Sequence, residues 1–215
     1  MRRLSPTRRV IRTRPPPLPR LGLDVAAGLI HGARQVPSPH QDARPDGAEP
    51  TLFIVHGISL PPGSFGGPAI DELFQGRLDP AAHPYFLQLA GLRVSSHLLI
   101  RRQGEVVQYV PLHRRAWHAG ESVWQGRRRC NDFSIGIELE GVDDLPYTPE
   151  QYRRLAVVIR LMRRRLPSLA GAEIVGHSDV APGRKTDPGP AFDWPRLRRL
   201  LAVRATAGPR AKKPR

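Results

Sequence analysis

From Phe133 to Glu140 the chain alternates without a break, with Phe133, Ile135, Ile137 and Leu139 on one side and Ser134, Gly136, Glu138 and Glu140 on the other. A period of two marks a strand, here one with an apolar face and a polar face that carries two acids. Such acids meet solvent or pair with an arginine such as Arg129, unless they do chemistry. The unbroken apolar run Leu52-Phe53-Ile54-Val55 predicts a buried strand from Thr51 to His56. Val94 to Ile100 and Val106 to Val110 flank Arg102-Gln103-Gly104-Glu105, the pattern of a hairpin closed by a glycine turn. Helical spacing joins Leu155, Val158, Ile159 and Met162. Thr148 is placed to cap that helix, Pro149 to open it, and Arg163, Arg164 and Arg165 to sit at its negative end. Weaker helical signals run from Ala69 to Phe74 and from Pro80 to Ala90, the second with Tyr85, Phe86, Leu89 and Leu92 on its expected buried stripe. Val25 to Ile30 reads as a strand or turn followed by a proline-spaced surface loop, and Asp193 caps a last helix from Pro195 to about Val203. These elements predict a mixed α/β fold: one domain with a central mixed β-sheet flanked by α-helices.

The densest set of reactive side chains follows the short strand signal Glu173-Ile174-Val175. It comprises His177, Asp179, Arg184, Lys185 and Asp187, in a loop stiffened by Pro182, Pro188 and Pro190 and bent at Gly183 and Gly189. If the backbone is extended there, Lys185 and Asp187 project to one side. An imidazole and a carboxylate on a rigid loop suit zinc, which takes nitrogen and oxygen ligands and keeps a position open when it is catalytic. A third ligand must come from elsewhere, and His56, at the end of its strand, would reach the rim of the sheet where ligands gather. The same residues also suit a purely structural arrangement of a capping aspartate and two hydrogen-bonded histidines. The glycine- and proline-rich stretch Ser59 to Pro68 is placed to wall a cleft whose floor includes His56.

Composition narrows the field. The 215 residues have room for one domain with a real core, and no apolar run is long enough to span a bilayer. The formal charge of +15 looks like a nucleic-acid signal until it is located. Arg2, Arg3, Arg8, Arg9, Arg12, Arg14 and Arg20 stand at one end with no acid among them. Arg204, Arg210, Lys212, Lys213 and Arg215 stand at the other. The expected division is therefore a basic, disordered leader over 1–21, one folded domain over 22–203 and a basic, disordered tail over 204–215, with no specific nucleic-acid partner. Weak attraction of the tails to RNA, anionic lipid or cell-wall polymer is the alternative. Prolines and charges interrupt any secretory apolar core after Arg2-Arg3, and the lone Cys130 has no partner for an internal disulfide. Both favour the cytoplasm.

Four segments together carry a resemblance: Ile54-Val55-His56 with Ile58-Ser59-Leu60-Pro61-Pro62-Gly63; Arg114-Arg115-Ala116-Trp117-His118-Ala119-Gly120; Arg129-Cys130-Asn131-Asp132 through Gly141; and Arg184 through Trp194. In order and in detail the chain, from about Gly32 to Leu201, resembles the cytoplasmic anhydro-N-acetylmuramoyl-L-alanine amidases of cell-wall recycling. Their wider superfamily includes phage lysozyme-type amidases and peptidoglycan recognition proteins. The resemblance implies a peptidoglycan recognition protein-like fold and a zinc ion on His56, His177 and Asp187. It further implies Glu138 as general base, with Glu140 as the fallback, and Lys185 as stabiliser of the oxyanion. Arg93, Arg129 and His118 are the implied substrate-binding residues, anhydro-muropeptides the substrate, and a monomer the expected state. Cys130 falls on no family role and reads as a packed small residue. Gly57 departs from the pattern, because the family usually shows an asparagine there, which leaves one hydrogen bond near the site missing. Two other readings remain: a non-catalytic peptidoglycan-binding module, and an exported amidase acting on intact wall.

Overall fold

The computed structural model describes residues 18–45 and 47–202. The tail expected at 204–215 lies outside the described residues, as does the expected leader up to residue 17. Along the chain run β1 (Gly22–Asp24), β2 (Leu29–His31), β3 (Arg34–Gln35), β4 (Gln41–Asp42), β5 (Leu52–Ile58), α1 (Ala69–Phe74), β6 (Leu98–Ile100), β7 (Val106–Gln108) and β8 (Arg115–Ala116). Then follow β9 (Val123–Trp124), β10 (Arg127–Arg128), β11 (Ser134–Glu140), α2 (Pro149–Arg165), β12 (Glu173–Gly176), α3 (His177–Val180) and α4 (Trp194–Ala202).

The main sheet has the order β12-β5-β11-β6-β7-β3. β12, β5, β11 and β6 are parallel, and β7 returns antiparallel to β6 as the predicted hairpin. The mixed sheet expected from the sequence is therefore present. Parallel central strands are covered on both faces, and the alternation of β5 and β11 decides what covers each. Phe53, Val55, Ile135, Ile137 and Leu139 join Leu155, Val158, Ile159 and Met162 of α2 and Leu197 of α4 in one core. On the opposite face, Ile70, Leu73 and Phe74 of α1 pack with Leu99, Val107 and Tyr109. Leu52 and Ile54 form a third cluster with Val175, Val180 and Cys130.

Helix α2 starts as its sequence predicts. Thr148 Oγ1 accepts from the Gln151 N–H at 3.2 Å while Gln151 Oε1 accepts from the Thr148 N–H at 2.9 Å, which makes a reciprocal capping box. Asp193 accepts from the Arg196 N–H at 2.8 Å and caps α4. Two expectations need correction. The segment from Pro80 to Ala90 is not one α-helix but two 3-10 turns, Pro80–Ala82 and Pro84–Leu89. Pro84 lacks the N–H that would continue the first turn. On the expected stripe only Phe86 is buried, whereas Leu92 is 45% exposed. His177 opens the one-turn helix α3 rather than lying in the loop, whereas Val25 to Ile30, expected as a strand or turn, holds a turn and then β2, paired with β1.

Candidate active site

The register of three neighbouring parallel strands builds the site. Glu138 of β11 lies beside His56 of β5, and Gly176 of β12 lies beside Val55, so the next residue, His177, emerges at the same edge. Ligand groups gather at the carboxyl ends of parallel strands because the backbone opens there and the following loops can close over them. The chain then returns through the loop that carries Lys185 and Asp187, whose side chains line one cavity with those of His56, Glu138 and His177. The cavity is about 480 Å³, and Ser59, Leu60 and Pro62 of the glycine- and proline-rich loop form part of its wall, as expected.

His56, His177 and Asp187 converge to within hydrogen-bond distance. His56 Nδ1 stands 3.0 Å from His177 Nδ1, and each of these nitrogens is 3.1 Å from Asp187 Oδ2. Among the described residues this trio is the group of histidine, cysteine and acidic side chains arranged to hold a metal ion. The donor set fits one. A neutral His177 carries its proton on Nε2, which lies 3.2 Å from the Ala119 carbonyl, an atom that only accepts. Its Nδ1 lone pair then faces a carboxylate oxygen, and two acceptors so close call for a cation. Tetrahedral zinc with bonds of about 2.0–2.1 Å would separate its ligand atoms by roughly 3.3 Å, near the 3.0–3.1 Å observed here.

Burial pushes the His56 pKa down to about 4, against the opposing pull of Asp187. Burial would raise Asp187, but its contacts with His177 and His56 outweigh that and hold it far below the usual carboxylate range. Glu138 behaves in the opposite way. Desolvation and the nearby Asp187 charge raise its pKa well above normal, with Lys185 the opposing influence. A buried carboxyl with a raised proton affinity beside a metal-type cluster is suited to moving a proton.

The remaining sequence-predicted residues divide. Glu140 is 1% exposed and fully engaged, accepting from Arg101 at 3.0 Å and from the Gly66 and Arg102 N–H groups at 2.6 and 3.1 Å. It is a structural residue, and its partner is Arg101 rather than Arg129. His118 lines the cavity, and its Nδ1 lies 2.9 Å from His56 Nε2. Arg93 is exposed and stacks its guanidinium 5.4 Å above the Trp117 ring, while Trp117 itself lines the cavity. Arg129 is not among the lining residues of the cavity; its side chain is 71% exposed and pairs with Asp132 at 3.4 Å. Cys130 is buried, its thiol raised by that burial, as a packed residue should be.

Two residues were missed. A Cβ at Gly57 would overlap the Tyr147 hydroxyl, which donates to the Pro188 carbonyl at 3.0 Å. Tyr147 thereby ties down the segment after Asp187 and fills the space beside Gly57. Nothing local in the sequence marks it. Ser134 was visible on the polar face of β11, but its partner His118 is brought to it only by the fold.

Comparison with known proteins gives this geometry a setting. The family model described as N-acetylmuramoyl-L-alanine amidase matches residues 46–190. The 1,6-anhydro-N-acetylmuramyl-L-alanine amidase AmpD of Escherichia coli (strain K12) is 62% identical over 179 residues, covering 83% of this chain and 97% of that protein. The crystal structure of a selenomethionine AmpD derivative superposes with a TM-score of 0.80 at 61% identity, covering 83% of this chain and 98% of that one. A more distant relative is the amidase AmiD from E. coli, solved as a complex with the substrate anhydro-N-acetylmuramic acid-L-Ala-D-gamma-Glu-L-Lys. It matches with a TM-score of 0.50 at 30% identity over 73% of this chain and 60% of that one.

Proposed function

This chain belongs to the N-acetylmuramoyl-L-alanine amidase family, and we propose that zinc held by His56, His177 and Asp187, with Glu138 and Lys185 beside it, carries its reaction. The enzyme hydrolyses the amide between the lactyl group of 1,6-anhydro-N-acetylmuramic acid and L-alanine of the stem peptide, in peptidoglycan recycling. The observation that carries the mechanism is the convergence of two imidazoles and a carboxylate beside a buried glutamate and a lysine in one cavity.

Bound zinc supplies Lewis acidity, which polarises the scissile carbonyl and makes water acidic enough to attack near neutral pH. Glu138 takes the proton from the attacking water and delivers it to the alanine nitrogen as the carbon–nitrogen bond breaks. The products are the free lactyl carboxylate and the peptide amine. The Lys185 ammonium faces the same space and stabilises the negative oxygen of the tetrahedral stage; loss of one such donor costs roughly 3–4 kcal/mol elsewhere. Burial of Glu138, at 7% exposure, keeps its carboxyl from competing hydrogen bonds with bulk water. Arg93, at the Trp117 edge of the cavity, and the exposed Arg129 serve as docking groups for stem-peptide carboxylates. All the reacting groups come from one chain, which supports action as a monomer. The lone buried Cys130 and the recycled substrate support a place in the cytoplasm.

The test is mass spectrometry of anhydro-muramoyl tripeptide incubated with the zinc-loaded protein, with Glu138→Ala and intact peptidoglycan as controls. Release of tripeptide and anhydro sugar, lost in the variant and weak on intact wall, is the expected result. No release from either substrate with zinc bound would leave only a recognition module, and stronger release from intact wall would point to an exported lytic enzyme.

A further inference from the structure

Between the cavity and the core lies a row of hydrogen bonds that the reaction itself does not use. Ser134 Oγ has one proton, and it goes to the Cys130 carbonyl at 2.6 Å. Toward His118 Nε2, at 3.2 Å, the same oxygen can therefore only accept. His118 must carry its proton on Nε2, which leaves a lone pair on Nδ1. That lone pair lies 2.9 Å from His56 Nε2, so His56 in turn must carry its proton on Nε2. The consequence falls on the other nitrogen of His56: Nδ1, which faces His177 and Asp187, is left bare.

The geometry points to His118 as a positioning residue that fixes the tautomer of His56, so that its Nδ1 is always ready to bind metal. This rests on the zinc reading above, and it gives His118 a role other than contact with substrate. The polar face of β11 is shaped for it. Ser134 anchors the ring, and two residues on Gly136 leaves room for it, since a Cβ there would stand 2.5–2.7 Å from the His118 ring atoms. Two residues further comes Glu138, so one strand face holds the anchor, the seat and the base. The ring has one partner on each nitrogen and backbone beneath it, and cannot flip without breaking both bonds.

Partners behind a metal-binding histidine commonly change metal affinity by about 10–100-fold when removed. The experiment uses the full chain labelled with ¹⁵N. Long-range proton–nitrogen spectra of the imidazoles report which nitrogen of His56 and of His118 is protonated, and chelator competition measures zinc affinity for wild type, His118→Phe, His118→Asn and Ser134→Ala. The expected result has both rings protonated on Nε2 in the zinc-free wild type and zinc binding weakened about 10–100-fold by His118→Phe. His118→Asn, whose amide oxygen can replace Nδ1 as acceptor, is expected to recover most of that loss. Ser134→Ala, which deletes a single oxygen and keeps the packing, is expected to scramble the His118 tautomer and weaken zinc more mildly. Protonation of His118 on Nδ1 in the wild type overturns the proposal, whatever the variants do. So does an unchanged zinc affinity in a folded His118→Phe protein, or an Asn variant as weak as Phe. Should His118→Phe not fold, unchanged tautomers and affinity in Ser134→Ala overturn it instead. Failure of wild type to bind zinc at all would refute the metal reading itself, an outcome separate from any of these.

Discussion

Two clusters of charge lie two residues apart at the C-terminal end of one face of β11. Around Glu140, Arg101 bridges to Asp71 at 3.2 Å, Arg34 reaches Asp71 and Glu105 at 2.9 and 3.0 Å, and the Tyr109 hydroxyl donates to Asp71. Every charge there has an opposite charge or a backbone N–H. Around Glu138 the arrangement is reversed: acceptors face acceptors, and the carboxyl's pKa is raised by desolvation and by Asp187 rather than lowered by a bonded partner. Both glutamates are buried, at 7% and 1% exposure, so burial does not distinguish them. Pairing does. A satisfied charge holds the fold, and an unsatisfied one is available for a proton, a metal or a substrate.

The sharpest way to break this comparison is to neutralise each glutamate in turn. Glu138→Gln is expected to lower kcat/KM by about 10²–10⁴-fold, while the zinc-free variant unfolds at higher urea than the zinc-free wild type at neutral pH. The sign follows from the raised pKa: the native state favours the protonated form, so an ionised Glu138 costs stability as pH rises, and the amide removes that cost. Glu140→Leu should do the reverse, costing about 3–5 kcal/mol in urea denaturation by stripping Arg101 of its buried carboxylate and leaving the Gly66 and Arg102 N–H groups without their acceptor. If instead Glu140→Leu folds normally and loses catalysis, the two roles have been assigned the wrong way round. Next in size is Lys185→Met, expected to reduce kcat by about 10²–10³-fold with little change in stability, checked by steady-state kinetics beside thermal melts.

The smallest effect comes from a buried group that belongs to neither cluster. His97 is fully buried, accepts the Gly136 N–H on Nδ1 at 3.0 Å, and faces Arg44; burial foremost, then Arg44, lowers its pKa to about 3. It stays neutral in the native state while the unfolded chain takes a proton near pH 6.5, so its contribution is lost as pH falls through that window. Urea denaturation of wild type between pH 6 and 4 should therefore be steeper in pH than that of His97→Asn by up to about 1.4 kcal/mol per pH unit. Equal slopes would show that His97 does not titrate in this way.

Much of this was legible in the chain. The alternation of β11 placed both glutamates on one face, and the apolar run of β5 delivered His56 to the sheet's edge. What the alternation could not show was which glutamate would be paired, because Arg101 lies 39 residues away, just past the end of β6. The same limit applies to His118, whose neighbours Ser134 and His56 are 16 and 62 residues distant in the sequence. Local rules failed where backbone chemistry overrode periodicity. Apolar spacing from Pro80 to Ala90 suggested one helix, but the second proline restarts the chain as a separate turn. Arg129 likewise owes its exposed place to backbone geometry that periodicity does not show, a left-handed position with φ of 63° beside Asp132.

The distances that bring the three metal-type ligands together also set when they can meet during synthesis. His56 and Asp187 are 131 residues apart, and His56 and His177 are 121. A nascent chain that has released β5 and β11 already holds His56 and Glu138 side by side, but it lacks two of the three ligand atoms until the last strand and loop leave the ribosome. A metal ion held by this trio would therefore be taken up only at the closing stage of translation, and a chain truncated before Asp187 is expected to carry a cleft with one of its three ligand side chains missing.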